Sequence, residues 1–268
     1  MGGRKYVHGY TEREAERLSD QAETLTGLLH ADTRYPAGSR VLEAGCGTGA
    51  QTVILARNCP EARITSVDIS EASLGEAERR VLAEGITNVT FEAGDIFDLQ
   101  YEPGSFDHIF LCFVLEHLEE PRRALERLRP LLRERGTITV IEGDHGSAYF
   151  HPDSAHARRT IGCLVTLQRE MGGNALIGRE LYPLVAGAGY RDVHVSPRMV
   201  YADASRPDLA RGFTELTFTA MVEGVGDDAV NRGMMSREDW ERGILDLYQT
   251  AGSDGVFCYT FFKATGRK

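Results

Sequence analysis

Three glycines spaced two apart, Gly45, Gly47 and Gly49, follow an apolar run and one acidic residue, Glu43, in the stretch Val41-Leu42-Glu43-Ala44-Gly45-Cys46-Gly47-Thr48-Gly49. Glycine admits positive φ and places no Cβ between the backbone and an approaching ligand, so a strand that runs into such a turn and then into a helix can seat a small molecule. The residue types narrow the choice of ligand. A Walker loop closes on Gly-Lys-Ser/Thr, whereas Gly49-Ala50-Gln51 offers no lysine. A dinucleotide fingerprint spaces its glycines G-x-G-x-x-G, and here they stand as G-x-G-x-G. Glu43 would repel a pyrophosphate but can hold an ammonium group, directly or through water, in a partly desolvated site. The ligand that fits is cationic and carries no phosphate.

S-adenosylmethionine has that character: an α-ammonium, a sulfonium and no phosphate. Asp68, which ends the run Thr65-Ser66-Val67-Asp68, follows the glycines by about 20 residues, where a carboxylate can accept protons from both ribose hydroxyls. Asp95, in Gly94-Asp95-Ile96, ends a third apolar run and can accept from an adenine amino group, with Ile69 and Ile96 packing the ring faces.

These residues need elements to hold them. From Arg40 the chain repeats a short apolar run, a turn and a helix: VLEA then residues 50–58, ITSVD then 71–84, VTFEAGD, FDHIFLCF then 121–133, and TITVIEG. Such alternation predicts parallel strands joined by right-handed helical crossovers. The order puts the first strand at the centre of a doubly wound sheet, with the ligand over Glu43 to Gly49. Residues 146–177 and 206–250 interrupt the alternation and are expected to be helical insertions covering an acceptor pocket. YRDVHVS and GVFCYTFFKAT are expected to add two strands, the last long and aromatic as an edge or penultimate strand would be. Ahead of the sheet, Ala15, Leu18, Ala22, Leu25, Leu28 and Leu29 recur at helical spacing after Thr11 and Glu14, a capping-box pair. Residues 1–35 are expected to form an N-terminal helical lid on a domain covering 36–268.

Over residues 40 to 145 the sequence resembles the class I S-adenosylmethionine-dependent methyltransferases, in the small-molecule branch that includes the ubiquinone and menaquinone biosynthesis type. The matching residues are the E-x-G-C-G-T-G loop at 43 to 49, Asp68, Gly94-Asp95, Gly104-Ser105-Phe106-Asp107 and Leu115-Glu116-His117-Leu118. The resemblance implies an α/β, Rossmann-like, mostly parallel seven-stranded sheet. It also implies that Glu43, Gly45 and Gly47 hold the methionine end of the cofactor, Asp68 the ribose and Asp95 the adenine, with Ile69 and Ile96 on the ring faces and Cys46 and Gln51 also among the cofactor-binding residues. Cys112, Phe113 and Val114 would form the wall under the sulfonium, with His117 beside it and Tyr10 closing over from the N-terminal segment that also carries Tyr6 and His8. Cys46 then serves as a small residue in a packed turn, because no basic partner that could activate a thiol lies nearby in sequence.

Methyl transfer from a sulfonium depends chiefly on alignment, and a base matters when the acceptor is a hydroxyl, a protonated amine or an acidic carbon. Candidates stand after the fourth strand, Glu116 and His117, and after the fifth, Glu142, Asp144 and His145, with His117, Glu142 and His145 taken as the catalytic set. Two other readings of the same loop remain open at this level: transfer or cyclisation of the aminocarboxypropyl group, and a subunit that binds the cofactor without turnover.

Composition bounds the partner. The 268 residues carry a formal charge of -10, which disfavours phosphate-rich nucleic acid and anionic lipid. Arg122, Arg123, Arg127, Arg129, Arg133 and Arg135 interleave with Glu126, Glu134 and apolar positions, as on a solvated helix face. An Asn/Asp-Pro-Pro-aromatic motif is missing after the fourth strand, where Cys112-Phe113-Val114-Leu115 stands instead. Cys46, Cys59, Cys112, Cys163 and Cys258 are scattered without metal spacing, so reduced thiols in a cytoplasm and no metal are expected. No signal core and no run of about 18 apolar residues occurs, which predicts no membrane span. The expected partner is a small-molecule acceptor; the oligomeric state, a homodimer included, is open.

Overall fold

The computed structural model describes residues 21–268 except residue 23. Tyr6, His8, Tyr10 and the Thr11–Glu14 capping pair lie outside the described residues. The first described helix, α1, covers residues 21–22 and 24–30.

The alternation read from the sequence is the fold. Strands β1 (Arg40–Ala44), β2 (Arg63–Asp68), β3 (Val89–Ala93), β4 (Phe106–Cys112), β5 (Leu132–His151), β6 (Arg191–Asp203) and β7 (Val256–Arg267) form one sheet in the order β3-β2-β1-β4-β5-β7-β6. The pairs β1·β2, β1·β4, β2·β3 and β4·β5 are parallel. β1 thus lies between β2 and β4, the point at which the winding reverses, and β7 occupies the penultimate place. Parallel strands need crossovers, supplied by α2 (Ala50–Asn58), α3 (Glu71–Ala83) and α4 (Pro121–Leu128). Ser70 begins α3 by accepting a hydrogen bond from the Ser73 N–H at 3.2 Å.

α4 stops at Leu128, five residues short of the boundary expected from sequence, and a 3-10 turn Arg129–Leu131 leads directly into β5. Pro130 explains this, since it lacks the N–H that a continued helix would bond. α4 carries only Arg122, Arg123 and Arg127 of the arginine-rich stretch, with Arg129 in the 3-10 turn and Arg133 and Arg135 on β5; Ala124, Leu125 and Leu128 are buried, while exposed Arg122 donates to Glu126 at 2.9 Å. β5 also departs from expectation by continuing past Gly143 as far as His151.

The chain divides into two compact units. One comprises Leu29–Gly143, Ile177–Arg198 and Phe261–Lys268. Its core gathers the inward residues of the central strands, Leu42, Val67, Ile109, Leu111, Ile138 and Val140, with Leu125 and Leu128 of α4, all essentially inaccessible to solvent. Added to these are Leu181 and Val185 of α6 (Leu181–Gly187), which follows α5 (Ala155–Glu170) in the chain.

The other unit comprises the described residues up to Leu28, Asp144–Leu176 and Met199–Thr260. It holds α5, a continuous helical run made of α7 (Pro207–Leu209), a π-helical stretch Ala210–Thr219 and α8 (Ala220–Glu223), then α9 (Gly226–Asn231) and α10 (Arg237–Gln249). Its core is aromatic: Phe218 lies 4.8 Å from Phe257 and 5.4 Å from Tyr259 between ring centroids, and Phe213 lies 5.4 Å from Tyr259. Among the described residues, no helix is long and apolar enough to cross a membrane.

Candidate functional site

The glycine turn follows directly from the end of β1. The N–H groups of Gly45 and Cys46 both donate to the carbonyl of Val67, at 2.7 and 3.0 Å, which ties the turn to the end of β2. Gly45, Gly47 and Gly49 have φ of 82°, 53° and 80°, in the left-handed region that the three-glycine pattern foretold. The three differ in their surroundings. A Cβ on Gly45 would stand 2.7 Å from Val114 Cγ2, and one on Gly49 would stand 2.8 Å from Ala77 Cβ and 2.9 Å from Ala77 Cα. A Cβ on Gly47 would meet no atom within 4 Å. Open space therefore lies beside the middle glycine, where a ligand resting on the turn would fit.

Asp68 closes the other side. One carboxylate oxygen accepts from the Gly47 N–H at 2.8 Å and the other from the Ser70 N–H at 2.9 Å. Each oxygen keeps a further lone pair for a ligand hydroxyl. Beside it Ile69 is 58% exposed, an apolar side chain left open at the end of β2. Asp95 follows β3, where its Oδ1 accepts from the Phe97 N–H at 3.0 Å; Ile96 is half-buried. Gly94 N–H donates to the Asp68 carbonyl at 3.0 Å, so the two acidic turns are joined.

Glu43 is buried, and its Oε2 accepts from Thr52 Oγ1 at 2.8 Å and Ser66 Oγ at 2.6 Å. Sequence reading missed these two hydroxyls. The only signal was a small polar residue interrupting otherwise core positions, Thr52 before Val53-Ile54-Leu55 and Ser66 before Val67. Gln51 Oε1 lies 2.8 Å from Nε2 of His30, another residue not singled out, whose imidazole burial holds down to a pKa of about 4 and hence neutral. Cys46 is buried, and burial with the nearby Glu43 and Asp68 charges pushes its thiol far up, which fits a packed turn residue rather than a nucleophile.

Burial raises the Glu43 carboxyl to about 7 from an ordinary 4.5, opposed by the bonds from Ser66 and Thr52 and aided by the Asp68 charge. A carboxyl with a raised folded-state pKa contributes its full stability below the unfolded value and loses it as pH climbs through the folded one. Stability from this group should therefore fall by about 3 kcal/mol between pH 4.5 and pH 7 and stay level above. Urea unfolding at pH 5 and pH 8 measures this, and Glu43→Gln should remove most of the difference. Equal pH dependence in the variant would show that Glu43 is not its source.

Phe113 begins the wall beyond β4. Its φ of 59° is unusual for a bulky side chain and costs on the order of 1 kcal/mol; its ring centroid lies 5.5 Å from that of Phe261. Cys112 is buried behind it. His117 lies in a 3-10 turn, Leu115–His117, with Nε2 3.6 Å from Glu116 Oε1 and a side chain 27% exposed. Glu142 is fully buried, with Oε1 accepting from the N–H groups of Val114 and Leu115.

These residues, from Glu43 to Glu142, all belong to the unit containing the central strands. His145 belongs to the other unit, where it is buried with Nδ1 2.7 Å from Tyr259 Oη and its ring edge-on to Phe218. Asp144 is buried in that unit as well and accepts from the Gly146 N–H at 3.0 Å.

Comparison with known proteins bears on this arrangement. A family model described as a methyltransferase domain matches residues 36–188. Trans-aconitate 2-methyltransferase of Deinococcus radiodurans is 32% identical over 158 residues, 58% of this chain and 56% of that enzyme. Demethylmenaquinone methyltransferase of Clavibacter sepedonicus is 37% identical over 106 residues, 40% of this chain and 42% of that enzyme. The chain spans about half the length of such curated relatives. In fold it is similar to the YcgJ protein of Bacillus subtilis, with a TM-score of 0.55 at 16% identity, covering 95% of this chain and 98% of that one. The family match extends over more than half of the sequence and includes the glycine turn, Asp68, Asp95 and the strand ends that carry them, and the chain belongs to the S-adenosylmethionine-dependent methyltransferase family.

Proposed function

We propose that the chain transfers the methyl group of S-adenosylmethionine to an oxygen, nitrogen or carbon atom of a small organic acceptor. The observation that carries this reading is the turn at Gly47: open space beside a backbone that Asp68 holds from the other side. When bound, the donor supplies a methyl group already activated on a sulfonium, so the residues contribute mainly placement.

In this reading the lone pairs left on Asp68 accept from the ribose hydroxyls, and Asp95 accepts from the adenine amino group with Ile69 and Ile96 against the ring. Glu43, Gly45, Cys46, Gly47 and Gln51 surround the amino-acid end. Glu43 acts through the field of its buried carboxyl, since Thr52 and Ser66 occupy Oε2. Cys112 and Phe113 line the wall under the sulfonium.

Of the three base candidates, His117 has the half-buried imidazole with a path to solvent that proton exchange requires, with Glu116 beside it to stabilise the imidazolium. Glu142 is buried and hydrogen-bonded, which suits a group that supports the site from behind, and His145 is buried in the other unit with its Nδ1 beside Tyr259 Oη.

Incubation with methyl-labelled S-adenosylmethionine and a metabolite extract tests the proposal. Label in a small product with equimolar S-adenosylhomocysteine is expected. Methylthioadenosine instead would assign transfer or cyclisation of the aminocarboxypropyl group, and binding without any product would assign a non-catalytic subunit.

A further inference from the structure

Glu142 is more than a buried acid within β5. Its Oε1 accepts from two consecutive backbone N–H groups, Val114 at 3.0 Å and Leu115 at 2.7 Å. One residue earlier in each segment, the Phe113 N–H donates to the Ile141 carbonyl at 2.9 Å. Two adjacent residues of β5 therefore hold three adjacent residues after β4, and the first of the three, Phe113, is in the left-handed region. A backbone in that region persists only where its surroundings over-determine it. The segment then turns into the 3-10 helix Leu115–His117, whose leading N–H groups are those that Glu142 satisfies.

The consequence reaches the glycine turn through Val114. Its Cγ2 occupies the place a Cβ on Gly45 would need, 2.7 Å away. Val114 and the Gly45 backbone are thus packed face to face, and Glu142 sets where Val114 stands. The carboxyl serves this wall rather than an acceptor: its Oε2 is buried and, among the described residues, has no hydrogen-bond partner.

We propose that Glu142 is a positioning residue that locks Phe113 to Leu115 against the glycine turn and so fixes the wall of the methyl-donor site. This rests on the reading of that turn as the donor site, while the local hydrogen bonds do not depend on it. The acceptor geometry is what matters, so an amide carbonyl, which also has two lone pairs, should replace the carboxylate.

Amide hydrogen exchange and calorimetric titration with S-adenosylhomocysteine, on wild type, Glu142→Gln and Glu142→Ala, test the assignment. In Glu142→Ala the Val114 and Leu115 amides should exchange faster than in wild type, and binding should weaken by about 10- to 100-fold, the loss expected when two such bonds go. Glu142→Gln should keep slow exchange and bind within about threefold of wild type, a rescue that a general loss of core stability would not give. Val114→Ala, which leaves the carboxylate in place, should weaken binding without speeding the Leu115 amide, and it serves if Glu142→Ala does not fold. Unchanged exchange and binding in folded Glu142→Ala, or a Gln variant as impaired as the Ala variant, would overturn the proposal. Wild type that fails to bind would remove the donor-site reading instead, with the exchange pattern still reporting on Glu142.

Discussion

Replacing Asp68 with alanine is expected to weaken binding of S-adenosylhomocysteine by about 100-fold or more. The carboxylate is engaged on both sides before any ligand arrives, by the N–H groups of Gly47 and Ser70. Hydrogen bonds to a charged group contribute about 1.5–3 kcal/mol each, so loss of the two proposed ribose contacts alone accounts for a factor of about 100. Release of Gly47 adds to it. Asp68→Asn sharpens the test, because an amide turns one of the two acceptors into a donor that faces either a backbone N–H or a ribose hydroxyl. Calorimetric titration of both variants measures this, and binding by Asp68→Ala within a few-fold of wild type would remove Asp68 from the donor site.

The second large effect separates two glycines that look equivalent in sequence. Gly49→Ala is expected to lower unfolding stability by about 3 kcal/mol, combining left-handed strain with a clash against the Ala77 backbone, which cannot swing away as a side chain can. Gly47→Ala is expected to cost only about 1 kcal/mol, since the added methyl enters open space. It should nevertheless reduce donor affinity at least about tenfold, because that space is the proposed seat of the ligand. Urea unfolding and titration on the same two proteins decide the matter. Normal binding by Gly47→Ala would place the donor elsewhere, and equal stability losses would contradict the difference in surroundings.

How far the sequence showed this site depends on whether the determining contact was local. Gly45, Gly47, Asp68 and Asp95 sit at strand ends within a repeating unit whose period can be read directly, and the structure joins them through short turns. The parallel sheet was legible for the same reason, since each crossover helix lies between the strands it connects. What the sequence concealed was pairing across the chain. Thr52 and Ser66 converge on Glu43 from different elements, and neither spacing marks them. The stretch Gly146-Ser147-Ala148-Tyr149-Phe150-His151 reads as a break, yet it continues β5; Ser147 Oγ accepts there from the Thr260 N–H of β7 at 2.8 Å, more than a hundred residues away. The left-handed Phe113 carried no residue-type signal, because that region is ordinarily left to glycine and asparagine.

The two outer strands of the sheet bear on solubility. β3 is one border, only five residues long, and Glu92 on it is exposed, with its Oε2 accepting from Tyr101 Oη at 2.7 Å. β6 is the other border and much longer, at 13 residues, but it carries Arg191 and Asp192 at its start and Pro197 in its middle. A free border offers unpaired N–H and C=O groups to any extended segment that meets it, and brevity, charge and proline each spoil that offer. Here one border is too short and acidic to recruit a stray strand, and the other lacks a donor at its midpoint. The sheet therefore resists growing into a fibril from either side.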